Sequence, residues 1–254
     1  MYVAHVLWKR KDKPLTVASS SSVFDVWYAC VLSSRRRSLI IRHDTRYSTM
    51  TEQSGFERER LEFHLLTPER WFDLEKLFGQ HGACGGCWCM WWRLPHSEFM
   101  CNRGEKNKEA LKNIVDSGEI PGILAYLKSQ PVGWCAIAPR ETFPKLERSR
   151  ILKRVDDKPV WSVVCFFIAK AFRGKGVSVK LLKAAVDYAT EKGAKIVEGY
   201  PVEPKKGRTP DGFAYTGLAS AFRKVGFVEV TRRSETRPIM RYVIRAHVDR
   251  PQQN

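Results

Sequence analysis

Cys165–Val186 reads CFFIAKAFRGKGVSVKLLKAAV, and this stretch decides how the rest of the chain is divided. Val163, Val164, Cys165, Phe166, Phe167 and Ile168 form an unbroken apolar run, the length of a strand covered on both faces. Arg173-Gly174-Lys175-Gly176-Val177-Ser178 follows, and then Leu181, Leu182, Ala185, Val186 and Ala189 recur at helical spacing. A buried strand, a glycine turn and an amphipathic helix are therefore expected in that order. Glycines let the backbone turn tightly, and the first amides of the helix, unpaired and at the positive end of its dipole, favour a phosphate. Arg173 and Lys175 add positive charge. The turn reads as a polyphosphate cradle, with tight strand–helix packing as the plainer alternative.

Two common phosphate loops are excluded by spacing. The chain has no G-x-x-x-x-G-K-S/T, and no G-x-G-x-x-G with an acidic residue about twenty positions on. The turn resembles the Q/R-x-x-G-x-G/A signature of the GNAT acyltransferase superfamily. It matches as Arg173-x-x-Gly176-x-Ser178, with serine where the family usually has Gly or Ala. The resemblance extends from about Leu61 to Ile244. Leu61–Leu66 reads as a first strand. Thr67-Pro68 then opens a helix with an apolar stripe of Trp71, Leu74 and Phe78 that stops at Gly79. Asn107–Ser117 reads as a second helix. Ile123–Leu127 and Val132–Ala138 read as strands joined across Lys128-Ser129-Gln130-Pro131. Gly133 stands where the family commonly has a glycine. After the signature helix, Gly193 caps, and Ala194–Tyr200 reads as a strand. Phe213–Val225 reads as a helix ended by Gly226-Phe227, and Phe227–Thr231 and Pro238–Ile244 close the sheet. The expected fold is α/β, a mixed, twisted central sheet of about six to seven strands flanked by helices.

The resemblance implies an N-acyltransferase that uses acetyl-CoA as donor co-substrate and passes the acetyl group directly to an amine-bearing acceptor. It implies backbone contacts from Phe166, Phe167 and Ile168 to the pantetheine and thioester. It also implies a diphosphate held by Arg173, Gly174, Lys175, Gly176, Val177 and Ser178. A tyrosine that many members place five residues before the closing Phe is here Phe222, and a family asparagine seven positions earlier is Tyr215. Tyr215 and Tyr200 are the substitutes considered for a general acid. Glu198 and Glu203, which flank Tyr200, are the candidates for taking the amine's proton, against the reading that each is solvated or paired with an arginine. A CoA-binding module without catalysis, suggested by Phe222, and a nucleic-acid-binding protein, suggested by the charge, are the competing readings.

His81–Arg93, HGACGGCWCMWWR, is the second unusual segment. Trp88, Trp91 and Trp92 are expected to form an acceptor wall, with Arg93 recognising an acidic group, or else to pack as core beside Trp134 and Trp161. Cys84, Cys87 and Cys89, with His81, Cys101 or His96, offer metal ligands, but a second C-x-x-C pair is missing and no metal is expected. Cys165, inside a Val/Phe run, reads as a small buried hydrophobe. Arg232, Arg233, Arg237 and Arg241 stand on the last strand pair, on a face read as either solvated or an interface, such as that of a homodimer.

Composition bounds these readings. A chain of 254 residues, 43% apolar, has enough material for a full core. No apolar run of about 18 residues occurs, so no membrane-spanning helix is expected. Seven cysteines, three of them between positions 84 and 89, make a poor disulfide framework and suit a reducing cytoplasm. The net charge is +17, and residues 1–50 supply +6 of it from nine Lys/Arg against three Asp. Neither helix-turn-helix nor zinc-finger spacing accompanies that charge, so it does not by itself point to a nucleic acid. Residues 1–55 read as a basic, disordered extension or as translation from upstream of Met50, in preference to a transit peptide or a nucleic-acid-binding arm. Residues 56–245 read as the acyltransferase domain, and 246–254 as a loose tail.

Overall fold

A computed structural model describes residues 60–205 and 214–245 of the chain. The expectations for residues 1–55 and 246–254, and for Phe213 as a helix start, fall outside the described residues.

The described elements follow the expected order. Strand β1 (Leu61–Leu65) leads through a 3-10 turn (Pro68–Arg70) into helix α1 (Trp71–Phe78). Helices α2 (His96–Cys101) and α3 (Glu105–Asp116) precede the hairpin of β2 (Gly122–Leu127) and β3 (Gln130–Pro139). Helix α4 (Pro144–Arg148) leads to β4 (Trp161–Ile168), which feeds α5 (Val177–Glu191) and β5 (Ile196–Gly199). Helix α6 (Ala219–Val225), β6 (Val228–Arg232) and β7 (Pro238–Val243) complete the sheet. The seven strands lie in the order β1-β2-β3-β4-β5-β7-β6. Every neighbouring pair is antiparallel except β4 and β5, which run parallel because α5 crosses between them.

Two features of β4 shape what lies above it. It pairs with β5 only from Trp161 to Val163, opposite Val197 to Gly199, and then runs on to Ile168 paired with β3 alone. The two strands thus part at their C-terminal ends, where α5 begins. On its other side β4 carries a bulge: Cys165 pairs with Ala136 and Val163 with Ile137, so the ladder skips Val164. The bulge turns Val164 and Cys165 onto one face, against the core that holds Trp71, Phe78, Trp92 and Trp134. Phe166 points to the opposite core with Leu181, Leu182, Ala185 and Phe222. The apolar spacing of α5 read from the sequence is the face that fills this second core.

One boundary and two short helices differ from expectation. Helix α6 begins at Ala219, because Gly217 holds a left-handed φ of +86° and Leu218 is extended and bridges to Val202. The short helices α2 and α4 carry too few residues for a periodicity to show in the sequence. Gly199 lies at the last β4–β5 pair, and a methyl there would collide with the ring of Phe222, which is fully buried edge-on to Phe166 and Phe227. Gly199→Ala is expected to cost about 1–3 kcal/mol by overpacking, read as a lowered urea midpoint. An unchanged midpoint would show that the Phe222 ring yields freely.

Candidate functional site

The glycine turn has the geometry of an anion cradle. Gly174 and Gly176 hold φ of +76° and +77°, and nothing lies within 4 Å of where their side chains would be. Left-handed backbone, rather than crowding, is what requires glycine at both positions. Gly176 is the N-cap of α5 and supplies no capping side chain. Its carbonyl accepts from the amides of Val179 and Lys180, while no backbone carbonyl of the described residues accepts from those of Val177 and Ser178. Two first-turn donors at the positive end of a 15-residue helix are therefore without a backbone acceptor among the described residues. Arg173 is exposed and donates its Nε–H to the carbonyl of Ile168 at 2.9 Å, which folds it across the strand end.

The three strand residues are not equivalent. Phe166 donates its amide to the carbonyl of Tyr215 at 2.6 Å, on the side where β5 has parted. By strand alternation Ile168 shares that open side. Phe167, paired with Trp134, turns its backbone toward β3, as Ala169 does in donating to Val132. The Phe167 side chain packs edge-on against Phe78 at 5.4 Å.

The 81–93 segment is largely core. Trp88 is buried and stacks on Trp71 at 6.0 Å, and a side chain on Gly82 would strike its indole. Trp92 is buried, donates its indole N–H to the carbonyl of Val164 at 3.0 Å, and stacks on Tyr215 at 6.4 Å. Trp91 is half-buried between Phe99 and His96, and the Lys145 ammonium lies 3.4 Å from its ring centre. Arg93 packs its guanidinium over Phe143 at 5.1 Å. Among the described residues no group of three or more His, Cys, Asp or Glu is arranged to hold a metal ion.

The acid–base candidates are separated. Glu198 is 1% exposed and lies between two arginines: Arg140 Nη1 donates to Oε1 at 2.9 Å and Arg241 Nε to Oε2 at 2.7 Å. The Tyr200 hydroxyl, fully buried, bonds Glu198 Oε1 at 2.7 Å, Ser162 Oγ at 2.9 Å and Arg140 Nη1 at 2.6 Å. Burial, and then the Glu198 charge, push its phenol well above the ordinary range. Glu203 lies outside this network. It pairs with Arg223 at 2.6 Å and with Arg232, and these two arginines lower its carboxyl to about 2. Tyr215, half-buried on Trp92, lies beside Cys165, and burial raises its phenol above the usual value. Of the four candidates only Tyr215 adjoins the open edge of β4.

Nothing in the local sequence marks Arg140, Ser162, Asp156 or Lys145 as site neighbours. Arg140 follows the last residue of β3 and meets Glu198 across 58 residues, while Arg241 reaches Asp156 at 2.7 Å across 85. Pairings this distant leave no local pattern. Lys145 buries its Nζ with no hydrogen-bond partner among the described residues, and burial pushes it down to about 8.

Comparison with known proteins gives one family model, the acetyltransferase (GNAT) family, which matches residues 88–203. No curated protein matches the chain. Among solved structures, a GNAT-family acetyltransferase from Listeria monocytogenes is 10% identical, with 72% of this chain and 95% of that one covered at a TM-score of 0.46. One from Streptococcus agalactiae is 10% identical, with 73% and 96% covered at 0.45. The PaiA N-acetyltransferase from Thermoplasma acidophilum, in complex with coenzyme A, is 17% identical, with 73% and 99% covered at 0.43.

Glu198→Ala would leave two buried arginines without their shared counter-charge. We expect a loss of about 3–5 kcal/mol in urea unfolding, and a loss below about 1 kcal/mol would show the network to be solvated. Lys145 is expected to lose its proton near pH 8 in a titration followed by its 13Cε shift, while exposed lysines hold theirs beyond about 10. Since its folded value lies below its unfolded one, stability should rise with pH between about 8 and 10.5, where only the unfolded chain keeps that proton.

Proposed function

The chain belongs to the GNAT acetyltransferase superfamily, and on that premise we propose that it transfers an acetyl group from acetyl-CoA to an amine by direct attack. One observation carries the proposal: β4 outruns its β5 partner and feeds, through the glycine turn, a helix whose first two amides meet no backbone acceptor among the described residues. A linear cofactor with a diphosphate at one end and a thioester at the other fits that arrangement. Residues 173–178 take the diphosphate, and the thioester arm lies along the open edge of β4.

On the direction of their backbone groups, we assign the strand contacts to Phe166 and Ile168. Because the Phe166 amide already serves Tyr215, we assign the oxyanion contact to the amide of Ile168. A fixed donor there stabilises the negative charge that develops on the carbonyl oxygen as the amine attacks, and stabilisation of this kind commonly contributes most to the rate of acyl transfer. When the tetrahedral species collapses, the C–S bond breaks and the thiolate needs a proton. Tyr215 holds its proton at neutral pH and adjoins this edge, so it is assigned as general acid. Trp92 orients its ring by stacking, and is the member of the tryptophan group that reaches the cleft.

No carboxylate is assigned as base. Glu198 has both oxygens committed to buried arginines, and Glu203 is held ionised by Arg223 and Arg232 with almost no proton affinity. The incoming ammonium therefore gives its proton to water, and the amine attacks as the neutral species.

Isothermal calorimetry with coenzyme A tests the donor site directly. Binding is expected, and Gly176→Glu, which adds strain and negative charge at the helix start, should raise Kd more than about tenfold. No heat with coenzyme A would overturn the proposal. Catalysis is tested by thiol release from acetyl-CoA with a panel of amines. Tyr215→Phe should lower kcat about 10²-fold, and kcat/KM should rise with pH to the acceptor's own pKa. Tight coenzyme A binding with no turnover on any amine would reduce the protein to a binding module. That reading is favoured by Phe222, which lies in the core where many relatives carry a tyrosine.

A further inference from the structure

The arginines grouped around β5 and the residues just after it are of two kinds. Arg140, Arg241, Arg223 and Arg232 each hold a carboxylate. Arg237 does not. It is 9% exposed, and both of its hydrogen bonds leave from Nη1, one at 2.8 Å to Thr216 Oγ1 and one at 3.4 Å to the carbonyl of Tyr200. These partners are neutral, and among the described residues no Asp or Glu forms an ion pair with it. The Nε–Nη2 edge, whose two N–H groups match the fork of a carboxylate, meets no carbonyl or carboxylate there. Unlike Lys145 Nζ, neither of those nitrogens is sealed from solvent. A guanidinium this deep is costly without a counter-charge, and this one is placed to receive it from outside the chain.

The position of Arg237 says which ligand that is. It immediately precedes β7, which runs antiparallel to β5, so it stands at the end of β5 where β4 and β5 part. Ile239 packs with Tyr200, Trp92 and Tyr215, whereas Met240 packs with α5 on the opposite face. Strand alternation puts Arg237 on the Ile239 side, and its bond to Thr216 sets it next to Tyr215. With the diphosphate held at the start of α5, the donor belongs to the α5 face and the acceptor reaches the gap from the other. That other face is short of negative charge. Arg93 rests on the Phe143 ring and Lys145 on that of Trp91, and neither forms an ion pair with a carboxylate among the described residues. Resting on acyl transfer as proposed above, we infer that Arg237 binds a carboxylate of the acceptor. Since Tyr215 adjoins both Arg237 and the open edge of β4, that carboxylate lies only a few bonds from the attacking nitrogen. The α-amino acids are the simplest class of amine that fits. Arg237 is then a residue of substrate binding and specificity, with no part in proton transfer.

The full chain is assayed by thiol release from acetyl-CoA with a panel of α-amino acids, each beside its carboxamide, which keeps the size and loses the charge. For an amino acid that is turned over, the carboxamide should show a KM more than about tenfold higher. Arg237→Gln should bring the KM of the acid up to that of the amide and leave the amide's unchanged. Its kcat and its coenzyme A affinity should stay within about twofold of the unaltered protein. Arg237→Lys, which keeps the charge, should recover part of the preference. A merely structural role would instead raise both KM values together or weaken coenzyme A binding. The acid–amide comparison on the unaltered chain carries the test even if neither variant folds. Equal KM for acid and amide, or turnover confined to amines with a phosphate or no acidic group, would overturn the inference and leave acyl transfer standing. Failure to bind coenzyme A, or binding without turnover on any amine, would overturn both.

Discussion

The sheet depends on how Glu198 is neutralised. Its backbone sits opposite Ser162 of β4 on one side and Arg241 of β7 on the other. Its carboxylate takes Arg140 from the end of β3 and Arg241 from β7, and Tyr200 ties the same oxygen to Ser162. One buried anion thus joins four strands at a single level. A charge so deep in the protein is tolerated only with every lone pair engaged, and the loss of either arginine would leave it uncompensated. Above this level the ladder between β4 and β5 lasts no further than Val163 and Gly199. The locked base and the parted tips belong together: strands free to diverge at one end must be fixed at the other.

That division also sorts the polar groups. Below the split, charges are sealed and paired, and their role is to hold strands in place. On the face above it, β4 offers backbone, aromatic rings and sulfur, with Tyr215 as the phenol that adjoins its open edge. A carboxylate that could accept a proton at neutral pH is not among the groups assigned there. The proposed chemistry accordingly places its weight on oriented amides and on one protonated phenol, which suits a reaction whose developing charge sits on a carbonyl oxygen and a sulfur.

Local signals were readable in the sequence and distant ones were not. The apolar run of β4, the glycines of the turn and the stripe on α5 each lie within about twenty residues, and each declares its structure by period or by φ requirement. Gly174 and Gly176 are a clear case, since open space around them leaves left-handed backbone as the reason for glycine. By contrast, Glu198 and Tyr200 look like cleft residues from their position at a strand end. They become network residues only because Arg140 and Arg241 arrive from elsewhere in the chain. Trp88 likewise reads as either binding wall or core, and the difference rests on Trp71, stacked on it from another element. Composition specified an aromatic, cysteine-rich loop, but which rings face inward depends on a backbone path that no period describes.

That path is costly, and the bulge of β4 explains what it supports. Ala83, Trp88 and Cys89 all hold positive φ, a conformation that costs non-glycine residues roughly 1–3 kcal/mol each. The bulge leaves Val164 outside the ladder with β3, so its buried carbonyl must find a donor elsewhere. The Trp92 indole provides it from 72 residues upstream, and the same strained segment sets the Cys89 sulfur beneath Trp134. Without the bulge, Cys165 would face the opposite core, and Phe166 to Ile168 would exchange which of them offers its backbone to the open edge. Strain in one loop and an irregular pairing in one strand are thus halves of a single arrangement, since one hydrogen bond satisfies the buried Trp92 indole of the first and the buried Val164 carbonyl of the second.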